Sequence, residues 1–482
     1  MISLIDAGPG TGKTFSLVYG YFLLANRLVG NVTPTEEQEA IFQYMREEFS
    51  SCKSFCFFAH GNSVKDKLIG QIGRKGAKVF TFHGAGQSST IKRYGFQKLV
   101  NNRTEKHIEQ LTGTSIHDMD WPEKKEWFAI KKIVQYLKTE ARDPSDENLA
   151  YLLMKYPDLA NYTVPDTWLD RATDLLNRAG QPDGEVEFAD MVYLGKRSAR
   201  PMYDLGFVDE SQDVALSTYQ LVTRMCRHVI FCGDRNQAIN AFAGASEEMY
   251  NHIASKADAI LPLKVTQRCP LHICDTANSI RPGGIIHGPN KLEGISRAAE
   301  FHSLPEILKE ETTPYSSLLV ARTNAVIFGT ALFLHRKGIP FYILDKELST
   351  MMINFVKQFK ESTIEGLKKK LSAYKNKADR SRSALWRQLC YDKADAVLDI
   401  MTECKTYNDI LNFLKNAFKQ NKDGYKLTTC HKSKGLEAKN IIVLSTPIEL
   451  PQAMEHPIGK EQETNLKFVT VTRSSQNIYW MS

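Results

Sequence analysis

One string constrains this chain more than any other: Ala7-Gly8-Pro9-Gly10-Thr11-Gly12-Lys13-Thr14. It follows an apolar run, Ile2-Ser3-Leu4-Ile5, whose pattern predicts a strand, and it precedes Phe15 to Leu28, whose pattern predicts a helix. A strand, a glycine-rich turn and a helix N-terminus in succession make an anion site, because backbone N–H groups and the positive end of the helix dipole face one point. In such a loop Lys13 can reach the β and γ phosphates, and the Thr14 hydroxyl can hold Mg²⁺. Ala7 stands where the general pattern has Gly. Close backbone approach depends mainly on Gly10 and Gly12, so a small side chain is compatible there. The string implies a nucleoside triphosphate as ligand and leaves open what its hydrolysis would drive.

A chain of 482 residues exceeds one hydrophobic core, so two to four domains are expected. Hydrophobic and charged contents of 42% and 24% are those of an ordinary globular protein, and no apolar run is long enough to span a membrane. The N-terminus lacks the basic start of a signal peptide, and its glycines belong to the phosphate loop. The nine cysteines are scattered without a CxxC pair, which points to reduced thiols and away from a disulfide frame or a zinc site. The net charge of +7 is compatible with a polyanionic partner without demanding one.

Strand-like runs recur at Ile2–Asp6, Phe55–Ala59, Lys78–Phe82, Leu205–Asp209, Val229–Gly233, Leu318–Ala321, Phe341–Leu344 and Asn440–Ser445. Helical patterns separate them, which argues for parallel α/β sheets. Two stretches break the alternation. Lys92 to Gly184 is polar and mostly helical in period; Asp345 to Lys422 is helical and basic, with Lys368-Lys369-Lys370 followed by Lys375, Lys377, Arg380, Arg382 and Arg387. Both read as helical insertions.

The string Leu205-Gly206-Phe207-Val208-Asp209-Glu210-Ser211-Gln212-Asp213 is a strand ending in adjacent acids. Downstream of a phosphate loop, Asp209 is suited to hold Mg²⁺ through water, and Glu210 to orient and deprotonate the attacking water. Gly233-Asp234-Arg235-Asn236-Gln237 follows another apolar run. A polar amide there can sense a γ-phosphate, although Gly-Asp-x-x-Gln is equally good turn chemistry.

These strings, in this order, resemble the motifs of UvrD/Rep-type superfamily 1 helicases. Ala7–Thr14 is similar to the family's motif I, Phe57-Phe58-Ala59-His60-Gly61-Asn62 to motif Ia, and Thr81-Phe82-His83-Gly84 to motif Ib. Glu187-Phe188-Ala189-Asp190-Met191 resembles the segment before motif II, Asp209–Asp213 motif II itself, and Gly233 to Ala245 motif III. Val265-Thr266-Gln267-Arg268-Cys269 resembles motif IV, Thr428 to Glu437 motif V, and Phe468-Val469-Thr470-Val471-Thr472-Arg473 motif VI. The resemblance implies that Arg268 and Arg473 act as arginine fingers, that Gly435 and Glu437 lie at the nucleotide with Glu437 contacting the ribose, and that Gln237 senses the γ-phosphate. Phosphoryl transfer builds negative charge on γ-phosphate oxygens, so guanidinium groups there are chemically apt. It further implies single-stranded DNA gripped by loops carrying His60, Asn62, Thr81, His83, Phe242, Thr429 and His431.

The chain departs from the family pattern in four places. The adenine-reading Gln motif, normally upstream of the phosphate loop, has only six residues available to it. A similar string, Thr33 to Ile41, lies downstream, and it reads either as a relocated adenine-reading element or, preferably, as a helix start with Thr35 and Gln38 forming a capping box after Pro34. Motif III carries Asn240, Phe242 and Ala243, where Phe242 offers a face for stacking or for core packing. His60 stands where a Phe is common. The span between motifs IV and V is short.

The expected fold is therefore α/β: two RecA-like P-loop domains with parallel sheets, each carrying a mainly helical insertion, and ATP in the cleft between them. The expected boundaries are 1–88 with 186–263, an insertion at 89–185, then 264–344 with 424–482, and a reduced insertion at 345–423. The expected function is an ATP- and Mg²⁺-dependent helicase or translocase moving 3′→5′ on single-stranded DNA or at single-strand/duplex junctions. Two alternatives stay open: a DNA-stimulated ATPase that strips proteins from DNA without unwinding, and a non-catalytic DNA-binding scaffold. The remaining expectations are a monomer with no membrane association, replication or recombination proteins as partners, and a bacterial or phage-infected cytosol, phage-encoded on grounds of compactness.

Overall fold

The computed structural model describes the chain except for residues 28–31, 74–75, 157–158, 160–161, 163, 182, 240–246, 291, 345, 381–383, 418, 420–422 and 451–456. It divides into two units, Met1–Val265 and Thr266–Ser482.

In unit 1 the strands are β1 (Ile2–Ala7), β2 (Phe55–Ala59), β3 (Lys78–Thr81), β4 (Lys98–Leu99), β5 (Glu185–Val186), β6 (Tyr203–Val208), β7 (Cys226–Gly233) and β8 (Ala259–Leu263). Six form one sheet in the order β3-β2-β6-β7-β1-β8, every neighbouring pair parallel. Helices cover both faces, so the central strands read as nearly unbroken apolar runs. The period of two still decides which core each residue joins. Ile5, Phe57, Phe207 and Ile230 meet Leu17, Tyr21, Phe42 and Met45 on one face, from the helices Lys13–Leu24 and Glu36–Phe49. Leu4, Phe58, Val208 and Phe231 meet Phe82, Leu221, Met225 and Ile253 on the other. Because all six strands are parallel, Ala7, Val208 and Gly233 end at the same edge, where open α/β sheets bind ligands.

Between β3 and β6 the chain leaves the sheet. The helices Arg103–Thr112, Trp121–Thr139, Asp146–Lys155 and Trp168–Ala179 close around their own core, which includes Ile108, Trp127, Ile133, Leu137, Leu152, Trp168 and Leu175. β4 pairs with β5 at its base. The helices Phe82–Tyr94 and Phe188–Ser198 meet backbone to backbone there: a Cβ on Gly195 would lie 2.3 Å from the Gly86 Cα, so no larger residue fits either position.

The Glu187–Met191 segment has a mechanical role at this junction that its motif resemblance did not reveal. Asp190 is buried between Arg103 Nη1 at 2.7 Å and Lys138 Nζ at 2.6 Å, and these two cations hold its carboxyl below the usual range against the cost of burial. Glu187 accepts from the Thr104 backbone N–H (2.8 Å) and hydroxyl (2.7 Å). The segment thus fastens the helical lobe to the sheet.

In unit 2 the strands are β9 (Ser296–Ala299), β10 (Ser317–Ala321), β11 (Phe341–Ile343), β12 (Tyr425–Thr429), β13 (Ala438–Val443) and β14 (Ser474–Met481). They form a second all-parallel sheet in the order β11-β12-β10-β13-β14-β9. The described residues between 346 and 423 are mainly helical, but their buried side chains, such as Leu367, Leu371, Val397, Ile410 and Leu414, join the same core as Leu319, Leu427 and Ile442 of the sheet. This stretch is a helical cover on the sheet, unlike the separately packed lobe of unit 1. On its helix Ile364–Asp379, Lys368, Lys369 and Lys370 are exposed opposite buried Leu367 and Leu371. Lys375 pairs with Asp395 at 2.7 Å, and Arg382 lies outside the described residues. Both units are α/β with parallel sheets, the class expected from the sequence.

Candidate nucleotide-binding and hydrolysis site

The phosphate loop turns from β1 into the helix Lys13–Leu24, which starts two residues before the expected Phe15 and ends four before the expected Leu28. Gly10 (φ 70°) and Gly12 (φ 86°) both occupy the left-handed region, where a side chain would be strained. The Thr11 hydroxyl donates to Gly8 O at 3.0 Å, and Lys13 Nζ donates to the same carbonyl at 3.3 Å. Lys13 is thus folded over the loop, one contact away from any anion the loop accepts.

The Thr14 hydroxyl donates to Asp209 Oδ2 at 2.6 Å, joining residues 195 positions apart in the chain. Asp209 is buried at the end of β6. Burial and then the neighbouring Glu210 charge push its carboxyl up to about 6, against the pull of Thr14 and Lys13. A hydroxyl and a desolvated carboxylate that lacks full compensation are a donor set suited to a hard cation, whose remaining ligands would be phosphate oxygens and water. The residues therefore fit Mg²⁺.

Glu210 has φ 55°, an uncommon conformation for a non-glycine residue that costs about 1–2 kcal/mol. Its carboxylate accepts from Gln212 Nε2, and Gln212 Oε1 accepts from the Asp234 N–H at 3.0 Å. Asp234 Oδ2 in turn accepts from Gln237 Nε2 at 2.7 Å, and its Oδ1 accepts from the Asn236 N–H at 3.0 Å. The Gly-Asp-x-x-Gln string therefore forms a turn and, through Gln212, is bonded to Glu210. A Cβ on Gly233 would lie 2.3 Å from Ser211 Oγ and 2.5 Å from Gln212 Oε1, so only glycine lets β7 approach the β6 turn this closely. Gln212 and Asp234 link Glu210 to Gln237. Sequence reading assigned them no role, although their place in polar runs just past two strands was the available signal.

A third missed group is Lys264, which bonds Asp6 Oδ1 at 3.0 Å and Ala7 O at 3.1 Å at the end of β1. The Thr35/Gln38 capping box forms in both directions, and Gln38 Nε2 also donates to Thr11 O at 3.3 Å. The preferred reading of that string as a helix start holds, and the same residue also touches the phosphate loop.

Among the residues read as nucleic-acid contacts, Thr81 and Thr429 occupy matching places. Each ends a strand and caps the following helix, accepting from Gly84 N–H at 3.1 Å and from Lys432 N–H at 3.4 Å. Each hydroxyl keeps its own hydrogen for another partner. His83 and His431 follow two residues later. Exposed His83 stands edge-on to Phe188, with centroids 5.6 Å apart; exposed His60 lies edge-on to Phe82 at 6.3 Å; Asn62 opens the helix Asn62–Ile72. Desolvation, with Arg322 adding to it, lowers His431 to about 3, so it is neutral at physiological pH. Phe242 lies outside the described residues.

Unit 2 gathers its own cluster. Arg268 Nη2 meets Glu437 Oε2 at 2.6 Å, and Arg268 Nη1 donates to Thr472 O at 3.2 Å. Arg473 is buried, with Nε donating to Val469 O at 3.0 Å and Nη1 to Leu436 O at 3.4 Å. Gly435 turns the chain with φ 82° just before them. Arg268, Gly435, Glu437 and Arg473 are thus brought together from three distant parts of the sequence. Glu437 is 67% exposed, so its pair with Arg268 is worth about 0–1 kcal/mol and yields readily to a stronger anion.

A family model for the UvrD/REP helicase N-terminal domain matches residues 2–258, more than half the chain. The chain belongs to the UvrD/Rep helicase family. The mitochondrial ATP-dependent DNA helicase HMI1 of Saccharomyces cerevisiae is 25% identical over 383 residues, which is 71% of this chain and 51% of that protein. The chain thus spans about half the length of that curated relative. Two structures of arterivirus nonstructural protein 10, a helicase, one with DNA and one without, align over 100% of this chain and 60% and 59% of theirs, at 10% and 11% identity and TM-scores of 0.33 and 0.34. Among the described residues no helix is long and apolar enough to cross a membrane.

Proposed function

We propose that this protein is an ATP-dependent DNA helicase or translocase that moves 3′→5′ on single-stranded DNA. The observation that supports it most is the connected polar path Thr14–Asp209 and Glu210–Gln212–Asp234–Gln237 at one sheet edge beside the phosphate loop. Such a path joins the groups that bind, cleave and sense a γ-phosphate. Lys13 swings from Gly8 O onto the β and γ phosphates. Thr14 and Asp209 would hold Mg²⁺, which when bound supplies positive charge at the phosphate oxygens. Glu210 orients and deprotonates the attacking water, and Gln237 changes partners when the γ-phosphate leaves. Arg268 and Arg473 offset charge in the transition state, and Glu437, on releasing Arg268, turns to the ribose.

In this reading 89–185 and 345–423 are the family's two insertions. His60, Asn62, Thr81, His83, Phe242, Thr429 and His431 grip single-stranded DNA, with replication or recombination proteins as further partners. His431, kept neutral by burial, contributes hydrogen bonds or stacking in place of charge.

Duplexes with a single-stranded tail on either the 3′ or the 5′ side test this directly. ATP-dependent unwinding of the 3′-tailed substrate alone is the expected result. Unwinding from the 5′ tail would overturn the polarity. Displacement of a bound protein without strand separation would favour the remodelling ATPase.

A further inference from the structure

The start of the helix Glu36–Phe49 grips two places with consecutive residues. Gln38 Nε2 donates to Thr11 O in the phosphate loop at 3.3 Å, while its Oε1 accepts from the Thr35 N–H at 3.0 Å. One oxygen of Glu37, Oε2, accepts from the backbone N–H groups of both Lys264 (2.8 Å) and Val265 (2.9 Å). Those two residues are the last of unit 1, whose boundary falls between Val265 and Thr266. The same segment is tied to β1 by Lys264 Nζ and to the loop by the Gly8 N–H donating to Leu263 O at 2.8 Å. The phosphate loop and Lys264–Val265 are therefore joined in three ways: by the Gly8 backbone bond, by Lys264 Nζ on Asp6 and Ala7, and by the helical turn that carries Gln38 and Glu37, the one of the three that holds the Lys264 and Val265 amides.

We infer that Glu37 is a positioning residue that transmits occupancy of the phosphate loop to Lys264–Val265, the segment through which the chain leaves unit 1. Its place in the first turn suits it, because a carboxylate there is favoured by the helix dipole and makes charge-assisted bonds to both amides. Gln38 sits one residue on, so any shift of Thr11 when phosphates enter the loop tilts the same helical turn that carries Glu37. A bond from a neutral side chain would be weaker, and an alanine would leave two amides without an acceptor. The inference rests on the loop being a nucleotide site, and not on the direction or the substrate of the proposed motor.

Hydrogen–deuterium exchange of a peptide covering residues 260–268 in the full chain, with and without ADP or a slowly hydrolysed ATP analogue, tests it. In the unaltered protein nucleotide should slow exchange at the Lys264 and Val265 amides by about fivefold or more. In Glu37→Ala these amides should exchange about tenfold faster at rest and lose the response to nucleotide, while fluorescent ADP still binds. Glu37→Gln, whose amide oxygen still accepts, should recover most of the response, which a purely structural effect of helix melting would not require. A nucleotide response that survives in Glu37→Ala overturns the inference, as does a Glu37→Gln variant as unresponsive as the alanine. Nucleotide binding without any protection at 264–265 in the unaltered protein removes the inference alone. Absence of nucleotide binding removes the nucleotide-site reading together with it.

Discussion

Glu210→Gln is expected to keep ATP bound while lowering kcat by about 100- to 10,000-fold, the range lost with a positioned general base. The substitution is nearly isosteric. Its amide oxygen can still accept from Gln212 Nε2, so the path through Asp234 to Gln237 stays connected. What disappears is the group able to take a proton from water. The left-handed backbone at Glu210, costly for any non-glycine, is the same in both proteins and so does not contribute to the difference. The check is single-turnover hydrolysis beside fluorescent-nucleotide binding. A fall in kcat with an unchanged dissociation constant supports the assignment. Equal losses of both would move Glu210 from chemistry to architecture, and unchanged kcat would place the base elsewhere.

The largest effect on stability is expected at Asp190. Asp190→Ala leaves Arg103 and Lys138, both nearly inaccessible, facing each other without their shared anion. Breaking a buried pair in this way typically costs about 3–5 kcal/mol. The neighbouring Asp183→Ala is the control: Asp183 also bonds Arg103, at 3.0 Å, but is itself 44% exposed, so water can take its place and the loss should be well below that of Asp190→Ala. Trp127 and Trp168 are buried in the helical lobe that Asp190 anchors, so denaturant unfolding followed by tryptophan fluorescence reports the change. The pH dependence has a definite sign. The Asp190 pKa is lower in the folded than in the unfolded chain, so its contribution is complete above the ordinary carboxylate pKa and is lost as pH falls through the lowered folded value. Asp190→Ala should therefore lose less stability than the unaltered protein across that acid range. Equal unfolding midpoints for the two aspartate variants would contradict the anchor.

Much of the architecture was legible because parallel strands covered on both faces carry their signal in continuous apolar runs. Phe55–Ala59 matches its expected bounds, and the other expected strands lie within a few residues of theirs. The strands missed have weaker signals for physical reasons. β8 contains Pro262 and lies at the sheet edge with Ile260 exposed, so it has neither the composition nor the burial of a central strand. β14 opens on Ser474-Ser475-Gln476-Asn477, whose side chains serve hydrogen bonds such as Asn477 to Asn440 at 2.8 Å. At the site, residue types and spacing exposed the Lys13, Thr14 and Asp209 group. They did not expose the links between strings. The Gln212 bridge exists only because β6 and β7 are neighbours, and the Glu37 grip on Lys264 spans 227 positions of sequence. The Glu187–Met191 string shows the converse, since its resemblance to a motif was clear while its work as a fastener depends on Arg103 and Lys138 from the lobe.

Steady-state ATP hydrolysis with and without single-stranded DNA tests the central claim most directly, with Lys13→Ala and Arg473→Ala alongside. Strong stimulation by DNA, abolished in both variants, is the expected result. Hydrolysis indifferent to DNA, or stimulation that survives loss of Lys13, would contradict a motor driven from this loop.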